Sequence, residues 1–300
     1  MASYVMVMIS RPGSCDIDEA AFQVSQLGDP GRWGTPRELA DEEAWEVPLE
    51  APPELGRLLL SGADRLLAEM PVDICLVPAA ARRKKLLIAD MDSTIISQEC
   101  IDEMADVLGL KPRIAAITER AMRGELQFED ALRERLSLLV GISEAQLEQV
   151  YAQRITLMPG AKTLVATMTA NGATTALVSG GFTFFTSRVA KAVGFGANHA
   201  NTLDIVAGRL TGRVLGPILG REAKLATLQD YVQRLGLTAG DTLAVGDGAN
   251  DLDMLKAAGL GVAFRAKPIV AAEAQAAIMH GDLTALLYLQ GYRKDEFVVG

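Results

Sequence analysis

Two rhythms divide the chain. From residue 86 onward, short and unbroken apolar runs recur at 86–89, 174–178, 242–245, 260–264 and 276–279. Runs of four or five apolar residues without alternation suit strands of a parallel sheet covered on both faces. Helical stretches at 161–171, 184–193, 222–235 and 251–258 separate them and supply the crossovers. This pattern predicts an α/β, doubly wound parallel-sheet core, whose ligands bind beyond the carboxyl ends of the strands. Two segments interrupt it. Residues 98–158 are helical in pattern and highly charged, with Leu132, Leu136, Leu139 and Val140 spaced to share one face. An inserted helical cap of this kind is expected to lie over the strand ends as a lid. Residues 203–215 read as a hairpin turning at Ala207-Gly208.

Before this core the pattern is different. Strand-like segments at 4–9, 45–49 and 72–77 alternate with helical ones at 18–27 and 53–69, and 28–36 is a Gly- and Pro-rich loop. Residues 1–80 are therefore expected to form a small α+β domain, with the boundary at 79–85 and a second domain over 84–292.

Charge and composition exclude several roles. Lys and Arg number 29 against 38 Asp and Glu, a formal net charge of −9, and aromatic residues make up 5% of the 300. Binding of nucleic acid through a basic, aromatic-interleaved face is not expected. The one basic run, Arg82-Arg83-Lys84-Lys85, reads as a solvated linker. Residues 163–187 carry no charge, but Asn171, Gly172 and Gly180-Gly181 break the run, so no membrane span is predicted. No basic stretch precedes a long apolar run at the N-terminus, and the three cysteines have no repeated spacing. Both features suit a reducing cytoplasm. His199 and His280 have no ligand partner in sequence and are read as structural.

Candidate chemistry gathers at the predicted strand ends. Asp90 and Asp92 stand two apart, so both can face one side, and two such carboxylates call for a shared cation, with Mg²⁺ the natural oxygen-ligated choice. The plain alternative is a solvated Asp/Ser turn. Ser179-Gly180-Gly181 before a helix is an anion cradle or an ordinary glycine turn. Asp247, with Asn250 and Asp251 a turn later, offers further carboxylates, and Lys224 at a helix start offers a cation or is a surface lysine.

Taken together, this order resembles the haloacid dehalogenase-like phosphatases, and within them the phosphoserine phosphatase family. The match rests on Asp90-x-Asp92-x-Thr94, Ser179, Lys224 and Gly246-Asp247-Gly248-Ala249-Asn250-Asp251. Glu99, Met122-Arg123-Gly124, Phe128, Arg133-Glu134-Arg135 and Gly208-Arg209-Leu210-Thr211-Gly212 extend it over 84–292. The resemblance implies hydrolysis of L-phosphoserine, the last step of serine biosynthesis. Asp90 would be nucleophile and Asp92 general acid and base, with Mg²⁺ on the Asp90 and Asp247 carboxylates and the Asp92 carbonyl. Ser179, Gly180, Lys224 and Asn250 would meet the phosphate, and Asp251 would orient Lys224 or a water on the metal. In the cap, Glu99 would take the substrate ammonium and Arg135 its carboxylate, while Met122 and Phe128 would close the site. Arg133 is read as a surface ion pair. The N-terminal part resembles an ACT regulatory domain, with serine sensing, a structural role or homodimerisation as its alternatives. Another small-molecule phosphatase or phosphotransferase is the enzymatic alternative, and a non-catalytic amino-acid-binding regulator the other one.

Overall fold

The computed structural model describes residues 2–29 and 32–300, and the side chain of Met122 lies outside that description. The chain begins with β1 (Ala2–Ser10), α1 (Ile17–Ser25), β2 (Arg37–Ala40), β3 (Ala44–Ala51), α2 (Pro53–Leu66) and β4 (Val72–Pro78). These form an antiparallel sheet of order β2-β3-β1-β4. β1 is buried on both faces, and its period of two splits it: Met6 and Met8 meet α1 and α2, whereas Val5, Val7 and Ile9 join the large core behind. The second face of this sheet is therefore covered by the rest of the molecule. β2 falls beyond the predicted 28–36 loop and was not expected. At four residues, pairing only with β3 through an irregular register, it is too short and polar to carry a strand pattern.

The second unit comprises β5 (Leu86–Ala89), α3 (Cys100–Asp106), α4 (Lys111–Met122), α5 (Phe128–Ser137), α6 (Glu144–Arg154), α7 (Ala161–Ala170), β6 (Thr174–Phe182) and α8 (Thr183–Val193). It continues with β7 (Ala197–Val206), β8 (Arg209–Leu215), α9 (Arg221–Leu235), β9 (Thr242–Gly246) and α10 (Leu252–Ala257), and ends with β10 (Leu260–Phe264), α11 (Pro268–Glu273), β11 (Ala276–Ile278) and α12 (Ala285–Leu289). The sheet order is β11-β10-β9-β5-β6-β7-β8, parallel except for β8. Leu86 and Ile88 of the central strand enter one apolar cluster, Leu87 and Ala89 the opposite one. Each such fully buried leucine contributes about 1.5–3 kcal/mol. The sequence reversal between β5 and its neighbours β6 and β9 opens a crevice at their carboxyl ends.

Three details differ from expectation. β7 begins at Ala197, well before the predicted hairpin, although the turn does fall at Ala207-Gly208, both with positive φ. Gly180 and Gly181 lie within the bulged end of β6 and not in a separate turn. Val140 is 56% exposed, because α5 stops at Ser137 and the helical spacing no longer applies, whereas Leu132, Leu136 and Leu139 are buried.

The basic run is also not a free linker. Arg82 donates to the carbonyls of Tyr288 (3.1 Å) and Leu289 (3.2 Å) and pairs with Glu46 at 2.5 Å. Lys84 Nζ donates to the Gly240 carbonyl at 2.7 Å, and Arg83 pairs with Glu296 at 2.6 Å. Beside it, the buried Asp73 carboxylate of β4 accepts from the backbone N–H groups of Met279, His280 and Gly281 at 2.7–3.1 Å. The guanidinium fork and this carboxylate stitch the two sheets together. No helix among the described residues is long and apolar enough to cross a membrane.

Candidate active site

One cavity of about 140 Å³ opens over the carboxyl ends of β5, β6 and β9, between them and the helices of residues 98–158. Its lining brings together Asp90, Asp92, Ser179, Gly180, Asp247 and Asn250 from the sheet side. Glu99, Phe128 and Arg135 face them from the helical insertion.

On the sheet side, hydrogen bonds fix nearly every group. Asp90 follows the last residue of β5 and accepts from the Met91 N–H (2.8 Å) and from Lys224 Nζ (2.8 Å), both on Oδ1. Lys224 is fully buried and also donates to Asp251 Oδ1 at 2.6 Å, so it lies behind the cavity floor. Asp251 in turn accepts from Gly248 N–H at 3.1 Å. Asp247 accepts from the buried Thr94 hydroxyl at 3.3 Å. Asp92 accepts from the Cys100 N–H at 3.0 Å and from the Ser179 hydroxyl at 3.5 Å. The Gly181 N–H donates to Ser179 Oγ at 2.8 Å, which fixes the hydroxyl beside Asp92.

The electrostatics follow from burial. Burial, then the Asp251 charge, pushes Asp90 well above the usual carboxylate range, against the pull of Lys224. Burial also raises Asp92, opposed by its bonds from Cys100. Asp247 is pushed up to about 6, by burial and then by Asp251. Burial alone would lower Lys224, but Asp251 and Asp90 outweigh it and hold it above the ordinary lysine value. Removing this lysine would leave two buried carboxylates uncompensated, at a cost of about 3–5 kcal/mol.

The carboxylates of Asp90, Asp247 and Asp251 approach one another within 4.8 Å. Three hard oxygen donors against one ammonium leave two negative charges, so the set fits a small divalent cation. The Asp92 carboxylate stands outside this cluster.

The helical side is held more loosely. Glu99 precedes α3 and accepts from the Ser93 hydroxyl at 2.7 Å, and burial followed by the Asp92 charge pushes it up to about 7. Arg135 donates through Nε to the Ala131 carbonyl at 3.2 Å and reaches Thr118 Oγ1 at 3.5 Å. Burial lowers it, while Asp102 and Glu99 oppose that shift. The Phe128 ring wedges between two glycines: a Cβ on Gly180 would meet it at 3.2 Å and one on Gly220 at 3.1 Å. A side chain at either position would press the ring out of place. Met122 ends α4, and its placement over the cavity lies outside the described residues.

Four supporting residues escaped the sequence reading as roles. Ser93 has φ +55° and turns its hydroxyl to Glu99. Thr94 holds Asp247, and Cys100 holds Asp92 through its backbone. Asn201 of β7, 2% exposed, donates to the Gly180 carbonyl (2.9 Å) and accepts from Leu219 N–H (2.7 Å), clasping the β6 end to the loop before α9. An asparagine inside a strand, where the residue is disfavoured, was the available signal, though Asn198 of the same strand shares it. His199 pairs with the Tyr231 hydroxyl at 3.1 Å, away from the cavity. Arg133 pairs with Asp130 on the exposed face of α5.

A doubly wound sheet with an acidic cluster and a buried lysine beyond its central strands defines a class of phosphoryl-handling hydrolases. The family model of haloacid dehalogenase-like hydrolases matches residues 87–256, and the chain belongs to that family. It is 44% identical over 231 residues to a phosphoserine phosphatase of Streptomyces coelicolor, over 76% of this chain and 56% of that one. It therefore spans little more than half of that relative. It is 47% identical over 210 residues to a phosphoserine phosphatase of Albidiferax ferrireducens, over 68% of this chain and 89% of the other. Among solved structures, a haloacid dehalogenase family hydrolase of Salmonella enterica superposes with TM-score 0.85 at 32% identity, covering 96% and 98% of the two chains. A probable phosphoserine phosphatase of Vibrio cholerae, in unliganded form, gives 0.76 at 34% identity over 97% and 87%.

Proposed function

We propose that the chain is a phosphomonoester hydrolase acting on L-phosphoserine. The observation that carries this is the meeting, in one cavity, of the Asp90–Asp92 pair with Glu99 and Arg135. The first pair suits phosphoryl transfer, and the second offers a carboxylate and a guanidinium to the ammonium and carboxylate of an amino acid. The names of the relatives point the same way.

Asp90 attacks phosphorus in line through the oxygen that Lys224 and Met91 leave free, and the phosphorus–serine oxygen bond breaks. Asp92, whose affinity for a proton burial raises, delivers a proton to the leaving serine oxygen. It then takes a proton from water, whose oxygen attacks the aspartyl phosphate, freeing phosphate and restoring Asp90. The Ser179 hydroxyl, the Gly180 N–H and Asn250 take up the charge on the phosphoryl oxygens, and the Lys224 charge acts on them from behind the floor through Asp90. Mg²⁺ would be held by Asp90 and Asp247 with the Asp92 carbonyl, and when bound it offsets the repulsion between anionic nucleophile and phosphate. Asp251 serves as the partner that fixes Lys224.

The finer architecture belongs to the same reading. Residues 98–158 act as a cap, with Phe128, and Met122 by resemblance, excluding water. Residues 1–80 form an ACT-like module, supported by the strand-helix-strand-strand-helix-strand order of its antiparallel sheet. Because the core covers one face of that sheet, a homodimer through this module would use its helical face, where Phe22 and Leu58 are exposed, or the β2 edge. The free thiols of Cys15, Cys75 and Cys100 suit a reducing cytoplasm.

The deciding experiment compares phosphate release from L-phosphoserine and from p-nitrophenyl phosphate with Mg²⁺. Turnover of both with strong preference for phosphoserine supports the reading. Turnover of the generic ester alone retains the chemistry and rejects the substrate.

A further inference from the structure

The end of β6 leaves its ladder where the active-site cavity begins. Val178 pairs with His199 and Phe182 with Asn201, so residues 179–181 stand opposite Ala200 alone. A bulge of this kind re-aims side chains and takes ladder partners away from the bulged residues. Here it brings Ser179, Gly180 and Gly181 into the cavity lining. Space then dictates glycine. A Cβ on Gly181 would meet Asp92 Oδ2 at 2.9 Å and Ser179 Oγ at 3.0 Å, and one on Gly180 would meet Phe128 at 3.2 Å. The consequence is freedom, because a peptide flanked by two glycines rotates with little steric resistance.

Both ends of the Gly180–Gly181 peptide are nevertheless held. Its N–H donates to Ser179 Oγ at 2.8 Å, and its carbonyl accepts from Asn201 Nδ2 at 2.9 Å. The same side-chain amide meets Leu219 as a neighbouring strand would, accepting from its N–H at 2.7 Å and donating to its carbonyl at 3.3 Å. Among the described residues, 217–219 make no backbone–backbone hydrogen bond, so the Asn201 amide supplies what the backbone does not. That segment runs into Gly220, the second wall of the slot that seats Phe128. One buried side chain thus spans both glycine walls of the slot.

We infer that Asn201 is a positioning residue for the phosphomonoester hydrolysis proposed above, and the inference rests on that reading. By preventing rotation of the Gly180–Gly181 peptide, it keeps the Ser179 hydroxyl and the Gly180 backbone where the phosphoryl oxygens are to be met. By holding Leu219 it sets the width of the Phe128 slot. Donors aimed in advance act where charge develops, so Asn201 governs turnover of any phosphate ester and not affinity for one of them.

Steady-state kinetics with Mg²⁺ on phosphoserine and p-nitrophenyl phosphate test this in two variants. Asn201→Leu keeps the volume and removes the amide. Asn201→Thr is a better strand former whose hydroxyl is too short to span both loops. In each, kcat is expected to fall by about 10²-fold on both esters, with KM within about threefold. Asn198→Ala removes the other asparagine of β7, whose Oδ1 accepts from Thr186 of α8 at 2.8 Å, and should stay within about twofold of wild type. A double-mutant cycle separates positioning from general loosening: with Ser179 already replaced by Ala, Asn201→Leu should cost about tenfold or less. Should Asn201→Leu not fold, Asn201→Thr carries the same cycle. A kcat within about threefold of wild type in the Asn201 variants overturns the proposal, as does a loss that is the same size in the Ser179→Ala background. Wild type inactive on both esters rejects the functional reading and this proposal with it, whereas active wild type beside unaffected variants rejects this proposal alone.

Discussion

The two walls of the active-site cavity are built on different principles. On the sheet wall, Asp90, Lys224 and Asp251 are buried and Asp247 half-buried, all tied by bonds of 2.6–3.3 Å to backbone, to one another or to the Thr94 hydroxyl. On the helical wall, Glu99 keeps one hydroxyl partner and Arg135 holds its own helix and Thr118, so both retain capacity for a ligand. A group that must meet every phosphate ester in one geometry is fixed in advance, whereas groups that recognise one ester keep their donors and acceptors open. Substitutions on the two walls should therefore fail in different ways.

The largest effect is expected at Asp90. Asp90→Asn keeps the shape but removes the nucleophilic charge, and turnover of phosphoserine and p-nitrophenyl phosphate should fall together by at least about 10⁴-fold. Steady-state kinetics on both esters check this, and a variant that loses only phosphoserine turnover would erase the contrast between the walls. Next comes Arg135→Ala. On the proposed reading, loss of the charged contact to the substrate carboxylate should lower kcat/KM for phosphoserine by about 10²-fold and leave the generic ester within about threefold. Equal losses on both substrates would place Arg135 with the fixed wall.

The same division explains what the sequence disclosed. The sheet wall was legible where its residues sit a residue or two beyond an apolar run, as Asp90 does after 86–89 and Asp247 after 242–245, whereas Lys224, inside α9, stood out only with the other motifs. Spacing along a strand translates directly into facing. The helical wall was legible only by resemblance, since nothing in the local pattern of α5 separates Arg135 from Arg133. The role of Asn201 was not legible: an asparagine in a strand is a weak signal, and its partners lie 18–21 residues away, a pairing that leaves no local signature. The basic run misled for the same reason, because Arg82 finds its carbonyls more than 200 residues on.

A smaller effect concerns the cation. Asp247 and Glu99, pushed up to about 6 and about 7, bind protons more tightly in the folded chain than in the unfolded one. Between about pH 4 and 7 the folded state therefore holds more protons, and raising the pH through that window removes stability. Metal-free protein should show a falling Tm over this range. Mg²⁺ should raise Tm most at the upper end, where the Asp247 carboxylate is charged and protons compete least for it. Differential scanning fluorimetry with and without Mg²⁺ from pH 4.5 to 8 reads this out. A gain from Mg²⁺ that is constant across pH would detach Asp247 from cation binding.

The smallest expected effect is the sharpest control on the helical wall. Arg133 and Arg135 stand on one helix two residues apart, a rotation of about 200°, so their side chains leave the helix on opposite sides. Arg135 lines the cavity, while Arg133 is 65% exposed and pairs with Asp130 at 3.3 Å one turn back. An exposed pair of this kind contributes at most about 0.5 kcal/mol. Arg133→Ala should thus leave kcat, KM and substrate preference within about twofold of wild type and Tm within about 2 °C. Measured beside Arg135→Ala, it separates loss of a positive charge on α5 from loss of the guanidinium that lines the cavity. Were Arg133→Ala to raise KM for phosphoserine as Arg135→Ala does, the general field of the insertion, and not contact within the cavity, would be what selects the substrate.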